Sequence, residues 1–172
     1  MPANTPRGLP YPLPTEPVAE GAQAIRNLAE AVDPKLGGEL AYAELTTNKT
    51  VTATNETSAD LVVASPAITL DGTTAVYIEC YSAGVYTPNI VGAFIALILY
   101  QDGASIGRLG TFHAWAAQQY ASSFFAKRKL TPAAGSRYWS FAAITSGGSG
   151  IVSAGAGGSG QTMPAFIRIV RA

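Results

Sequence analysis

Cysteine and histidine occur once each in the 172 residues, as Cys80 and His113. One cysteine excludes an intrachain disulfide, and with one histidine the recurrent zinc frameworks lack ligands. A Ser–His–acid triad would have to be built on His113, and one histidine among many serines does not point to one. No serine stands in a G-x-S-x-G setting, and no glycine precedes a lysine as a phosphate-binding P-loop requires. No cofactor or metal is therefore expected.

Charge is scarce as well. Charged residues make up 13% of the chain, against roughly 25% in an average soluble domain. The two signs balance at eleven each but are unevenly placed. Every acid lies at or before Asp102, while Arg108, Lys127, Arg128, Lys129, Arg137, Arg168 and Arg171 follow it. In a sandwich whose early and late strands interleave, that split predicts ion pairs between the two halves of the chain or between subunits. The triplet Lys127-Arg128-Lys129 is read as a solvated strand end rather than a polyanion site, so no nucleic-acid partner is expected. Apolar residues reach 48%, which predicts surface covered by copies of the chain or by a larger assembly. The longest apolar-rich run, Ile90 to Tyr100, is too short to span a bilayer, and no membrane insertion is expected. The chain opens without a basic segment followed by an apolar run, so it is expected to lack a secretory signal and to be made in a cytosol.

What is present falls into three stretches. Residues 1–14 carry five prolines, which bias the backbone towards an extended arm. Within it Leu9, Pro10, Tyr11, Pro12, Leu13 and Pro14 alternate large apolar residues with proline, a pattern suited to docking in a groove on a neighbour. Residues 15–37 predict one short α-helix and a hinge: Thr15 as N-cap, Glu16 and Pro17 in the first turn, and an end before Pro34. Val18, Ile25, Leu28 and Val32 mark its apolar stripe. A helix of about 17 residues is marginal alone, so this stripe is an expected oligomer contact.

Residues 38–172 change punctuation to short apolar runs bounded by Gly, Asn, Asp and Pro. Strands are predicted near 40–46, 49–54, 60–64, 67–70, 74–83, 91–101, 105–115, 120–130, 136–145, 150–154 and 164–171. Asp102-Gly103 is the strongest hairpin signal and Asp71-Gly72 the next. The class is mainly β, an antiparallel jelly-roll-like β-sandwich preceded by the proline-rich arm and the helix. From Val76 to Tyr81 the alternation puts Val76, Ile78 and Cys80 inward and Tyr77, Glu79 and Tyr81 on the other face. From Phe94 to Tyr100 both faces are apolar, which predicts a covered outer face, and Ile95, Leu97 and Leu99 are expected at a subunit interface. The glycine-rich run 147–160 is expected to be flexible or pressed against another backbone. Gly155, Gly157 and Gly160 match G-x-G-x-x-G, but no helix follows to aim N–H groups at a pyrophosphate.

The segment LPYPLPTEPVAEGAQAIRNLAEAVD resembles the N-terminal signature of minor tail or fibre-like virion proteins of tailed phages infecting actinobacteria. The matching residues are Tyr11, Pro12, Pro14, Thr15, Pro17, Val18, Gly21, Ala22, Ile25, Arg26, Leu28, Ala29, Glu30, Ala31, Val32 and Asp33. Looser likeness runs through Thr131–Ser136, the glycine-rich run and Pro164–Ile169. The resemblance implies a structural virion protein, trimeric, attached to other virion proteins through its N-terminal segment and carrying a projecting β knob. Tail and capsid-decoration locations both fit it. Such domains are sometimes glycan hydrolases, which need two facing carboxylates. Asp60, Asp71 and Asp102 read as turn or strand-edge residues and Glu79 as mid-strand; nothing pairs them, so no catalytic residue is expected. Contact with a host surface glycan needs only exposed aromatics, and Trp115, Tyr120, Tyr138 and Trp139 are the candidates.

Overall fold

The computed structural model describes residues 3–4, 10–11, 27–28, 38–155 and 162–172. The chain divides into two compact units, Met1–Gly38 and Glu39–Ala172. In the first, β1 (Ala3–Asn4) pairs antiparallel with β2 (Pro10–Tyr11), Ala3 opposite Tyr11. Asn27 and Leu28 are helical and half-buried.

The second unit is mainly β and forms an antiparallel jelly-roll-like sandwich. Its strands are β3 (Glu39–Glu44), β4 (Lys49–Val51), β5 (Asp60–Ala64), β6 (Ile68–Leu70), β7 (Val76–Tyr86), β8 (Phe94–Gln101) and β9 (Ala104–His113), then β10 (Ala121–Leu130), β11 (Gly135–Arg137), β12 (Trp139–Thr145), β13 (Gly150–Val152) and β14 (Phe166–Arg171). The pairings nest. Strand β8 pairs with β9, β7 with β10, β6 with β11, β5 with β12, β4 with β13 and β3 with β14. The unit is thus one long hairpin rolled on itself, with Asp102-Gly103 at its tip. Rolling adds the contacts that close the sheets, β14 and β13 against β7, and β12 against β8. One sheet then runs β3–β14–β7–β10, extended beside β7 by β13 and β4; the other runs β5–β12–β8–β9.

The tip forms because Asp102 and Gly103 both take positive φ, 52° and 82°, as a two-residue hairpin turn requires. The 136–145 run, expected as one strand, is two. Arg137 pairs with Ile68 while Trp139 pairs with Gln101. The change of partner falls at Tyr138, whose N–H donates to the Asp102 carboxylate and whose carbonyl accepts the Asp102 N–H. Gly150 sits where the glycine-rich run presses on its neighbours: a Cβ there would meet the Tyr86 carbonyl at 3.0 Å.

Between the sheets lie Ile78, Cys80, Ile95, Leu97, Leu99, Trp139, Phe141, Ile167 and Ile169, all shut off from solvent. Strand β7 alternates as expected, Val76, Ile78 and Cys80 inward. Burial pushes the Cys80 thiol far above its ordinary range, which makes it an inert core residue.

Strand β7 also gives the sandwich its two ends. Val76 lies beside Leu130 and Arg171, and Tyr86 beside Ala121 and Ile151. The chain enters β3 at Glu39, whose partner Val170 sits beside Tyr77, so entry is at the Val76 end. The Tyr86 end carries the loops 87–93, 114–120 and 146–149. Eleven residues of β7 at about 3.3 Å each separate the two ends by roughly 30 Å.

Candidate interaction surfaces

Of the expected arm and helix contacts, Leu9, Pro12, Leu13, Pro14, Val18, Ile25 and Val32 lie outside the described residues. Pro10 and Tyr11 form β2, and Leu28 is helical and half-buried.

Ile95, Leu97 and Leu99 require a correction. They point into the sandwich and are at most 1% exposed within a single chain, so they are core residues and not subunit contacts. The opposite face of β8, Ala96 and Ile98 with Ile144 of β12, is indeed covered, but by the chain's own segment around Ala53 and Ala59. That cover is tied down at several points. Asn55 caps the 3₁₀ turn Glu56–Ser58 by accepting the Ser58 N–H. The Tyr100 hydroxyl donates to the Glu56 carbonyl, and the Asp60 carboxylate accepts the N–H groups of Thr52 and Ala53.

The charge split resolves within the chain. Glu39 pairs with Arg168, Glu56 with Arg108, Glu79 with Lys127 and Asp102 with Arg137, at 2.8–2.9 Å. Each joins an early acid to a late base because the nested hairpin lays late strands beside early ones. The basic triplet is engaged too. Lys127 and Lys129 lie over the Tyr77 ring, and Arg128 turns the other way to the Ile106 carbonyl.

The first exposed surface is the outer face of the β3–β14–β7–β10 sheet. Register sets Phe166 of β14 between Glu44 and Tyr81, and Tyr81 opposite Phe125 of β10. Phe166 stacks on Tyr81 at 5.4 Å and meets the Tyr42 ring at 5.6 Å. A row of rings therefore crosses all four strands, and its ends stay open: Tyr42 is 39% and Phe125 60% exposed. Burial first, then the bond it donates to Glu44 and the charges of Glu44 and Glu39, pushes the Tyr42 hydroxyl up to about 12. Sequence alternation places Tyr77 and, of the row, Tyr81 on this side; Tyr42, Phe166 and Phe125 come to it only through the register.

The second surface is the end away from Glu39. Trp115 is 81% exposed there, beside exposed Ile90 and Val91. The Ala114 N–H donates to the Ala93 carbonyl and the Gly92 N–H to the Ala114 carbonyl, which locks the two loops together beneath them. His113 is exposed, with its ring 5.7 Å from Phe94 and 6.5 Å from Trp115. No charged residue occurs in 87–93, 114–120 or 146–149; exposed Ile90, Val91 and Trp115 stand there with the amides of Asn89, Gln118 and Gln119. Of the other aromatic candidates, Trp139 is fully buried, Tyr138 is 38% exposed near the hairpin tip and Tyr120 is half-buried.

A shallow hollow of about 190 Å³ lies between the 3₁₀ turn and β8, lined by Glu56, Thr57, Leu61, Tyr100 and Ser140. Its one carboxylate, Glu56, is held by Arg108 at 2.8 Å. Asp60, Asp71 and Asp102 each give one oxygen to nearby backbone N–H groups and the other to Lys49, the Thr74 hydroxyl and Arg137 respectively. Among the described residues no three His, Cys, Asp or Glu side chains gather as metal ligands.

No protein-family model matches the chain. No curated protein is significantly similar to it. Among solved structures, it is similar to a carbohydrate-binding module from Cellvibrio mixtus lichenase 5A, solved with cellotriose. That likeness has 12% identity and a TM-score of 0.31, and covers 77% of this chain and 97% of the module. It is also similar to a chain of the T13 IBDV viral particle, at 11% identity and a TM-score of 0.34, over 76% of this chain and 34% of that one. At these scores the fold assignment stands on the strand pairings, not on the likeness.

Proposed function

We propose that this chain is a non-enzymatic structural protein of a tailed-phage virion, a trimeric minor tail or fibre-like protein. Residues 1–14 dock on another virion component, and the sandwich is the projecting knob. The observation that carries this reading is the polarity of the sandwich. The chain enters at Glu39 on one end, and the exposed, uncharged apex with Trp115 stands at the other. A knob tethered at one end and contacting its target at the other needs that arrangement. The resemblance at Tyr11–Asp33 supplies the tether. The apex chemistry, an exposed ring with aliphatic side chains and amides but no charge, suits a neutral sugar surface on the host better than a polyanion.

The test is deletion of residues 1–14 in the phage genome. The shortened protein should keep the circular dichroism and melting temperature of the knob yet be missing from purified particles. Normal incorporation of the shortened protein would remove the anchoring role.

A further inference from the structure

We propose that copies of this chain associate around a rotation axis parallel to the strands of the β3–β14–β7–β10 sheet, with the outer face of that sheet turned towards the axis. This deepens the oligomer part of the proposed function, but it rests on this face alone and does not need the virion.

A solvated sheet face ordinarily carries polar side chains in alternation with the core. Here the row Tyr42, Phe166, Tyr81 and Phe125 crosses it, and Phe125 is 60% exposed in a single copy. Open aromatic surface of this kind marks a contact.

The charges around the row decide the partner. They sort by edge: Glu39 and Glu44 stand on β3, Lys127 and Lys129 on β10. In the middle, Arg168 and Glu79 approach each other to 3.8 Å. The face is therefore neutral as a whole and polarised across its width, acidic at one edge and basic at the other. Glu44 and Lys129 make no ion pair among the described residues, one at each edge. Such a surface complements itself, which points to a second copy as its occupant.

The polarity also selects the symmetry. Rotation about an axis parallel to the strands brings the β3 edge of each copy to the β10 edge of the next, for two copies or for three. A two-fold axis across the strands, or one normal to the sheet at an edge, sets like edge against like. Acid would then face acid, and like charges in contact are penalised. The selected axis points every copy the same way. All the Glu39 entries then gather at one end and all the Trp115 apices at the other.

The experiment uses the full chain with two engineered cysteines, Glu39→Cys and Lys129→Cys, which register places at one level along the strands, both in line with Tyr77, and a bismaleimide linker too short to span three strand spacings. Native Cys80 is buried and does not compete. Within one copy the two positions are three strand spacings apart, about 14 Å, so the linker does not join them there; rotation about the strand-parallel axis keeps their common level and brings one edge to the other between copies. Light scattering of the wild type should give two or three chain masses. The double variant should link into covalent oligomers, and neither single variant should. Phe125→Asp should reduce the mass to one chain without lowering the melting temperature. A single-chain wild type at micromolar concentration overturns the proposal, as does efficient linking of Glu39→Cys alone, which would put β3 on β3. Loss from particles of a protein that still links as described would count against the virion reading and leave this interface standing.

Discussion

The backbone N–H of Thr145 donates to the carbonyl of Ala53 across 2.7 Å. That bond fastens the segment between β4 and β5 to the far side of β12, so the sandwich closes a second, smaller apolar layer with its own chain. The Tyr100 hydroxyl holds the same segment at Glu56. Tyr100→Phe should therefore cost about 1 kcal/mol of stability. It should also speed amide exchange at residues 53–59 while leaving the oligomer mass unchanged. Denaturant melts and hydrogen exchange check this; unchanged exchange in that segment would show that the latch is dispensable.

The tip of the rolled hairpin depends on Gly103 at a φ of 82°. A β-branched residue there is forced into the left-handed region, at about 1–2 kcal/mol. Gly103→Val should lower the denaturant midpoint accordingly, whereas Ala104→Val, in the strand just beyond, should change it little.

Two carboxylates should make the sandwich sensitive to acid. Burial alone would raise Asp60, but the N–H groups of Ala53 and Thr52 and the charge of Lys49 outweigh it and hold it below the ordinary range. Asp102 follows the same balance, with the Tyr138 N–H and Arg137 outweighing burial. A depressed folded-state value means the stabilisation is complete above the unfolded value of about 3.9 and disappears as pH falls through the folded one. Asp60→Asn should be less stable than wild type at pH 7, by about 2 kcal/mol. The gap should narrow as pH drops below about 4. A gap that stays constant down to pH 2 would show that the carboxylate charge contributes nothing.

Nested pairing joins distant parts of the chain; Glu39 pairs with Val170. Loops of that length must close before the outermost strands gain anything, so refolding should take milliseconds to seconds. Stopped-flow tryptophan fluorescence follows it, since Trp139 is buried and Trp115 is not. Complete refolding in microseconds would contradict the rolled-hairpin order.

Much of the strand pattern was legible because its signals are local. Asp102-Gly103 announces its turn, and the alternation Val76, Ile78, Cys80 against Tyr77, Glu79, Tyr81 sorts the faces of β7 correctly. What was not legible depends on partners far along the chain. The doubly apolar run at Ile95–Leu99 suggested subunit contact because nothing local shows that residues 53–59 fold across it. Trp115 and Trp139 are chemically alike, yet one stands at the apex and the other in the core; only the placement of their neighbours separates them. Of the aromatic row only Tyr81 was visible, with Tyr77 further along the same face of β7. The row's other members, Tyr42, Phe125 and Phe166, come alongside only through pairing register.

As proposed, this protein is a built-in part of a phage particle, with the sandwich projecting from its surface. The most direct measurement is electron microscopy of intact, purified particles carrying a gold-binding tag fused after Ala172. Gold is expected at fixed positions on projecting density at the tail or the capsid surface, and that position also decides between the two sites. Particles that carry no gold, although the tagged protein is produced and folded in the infected cell, would contradict it.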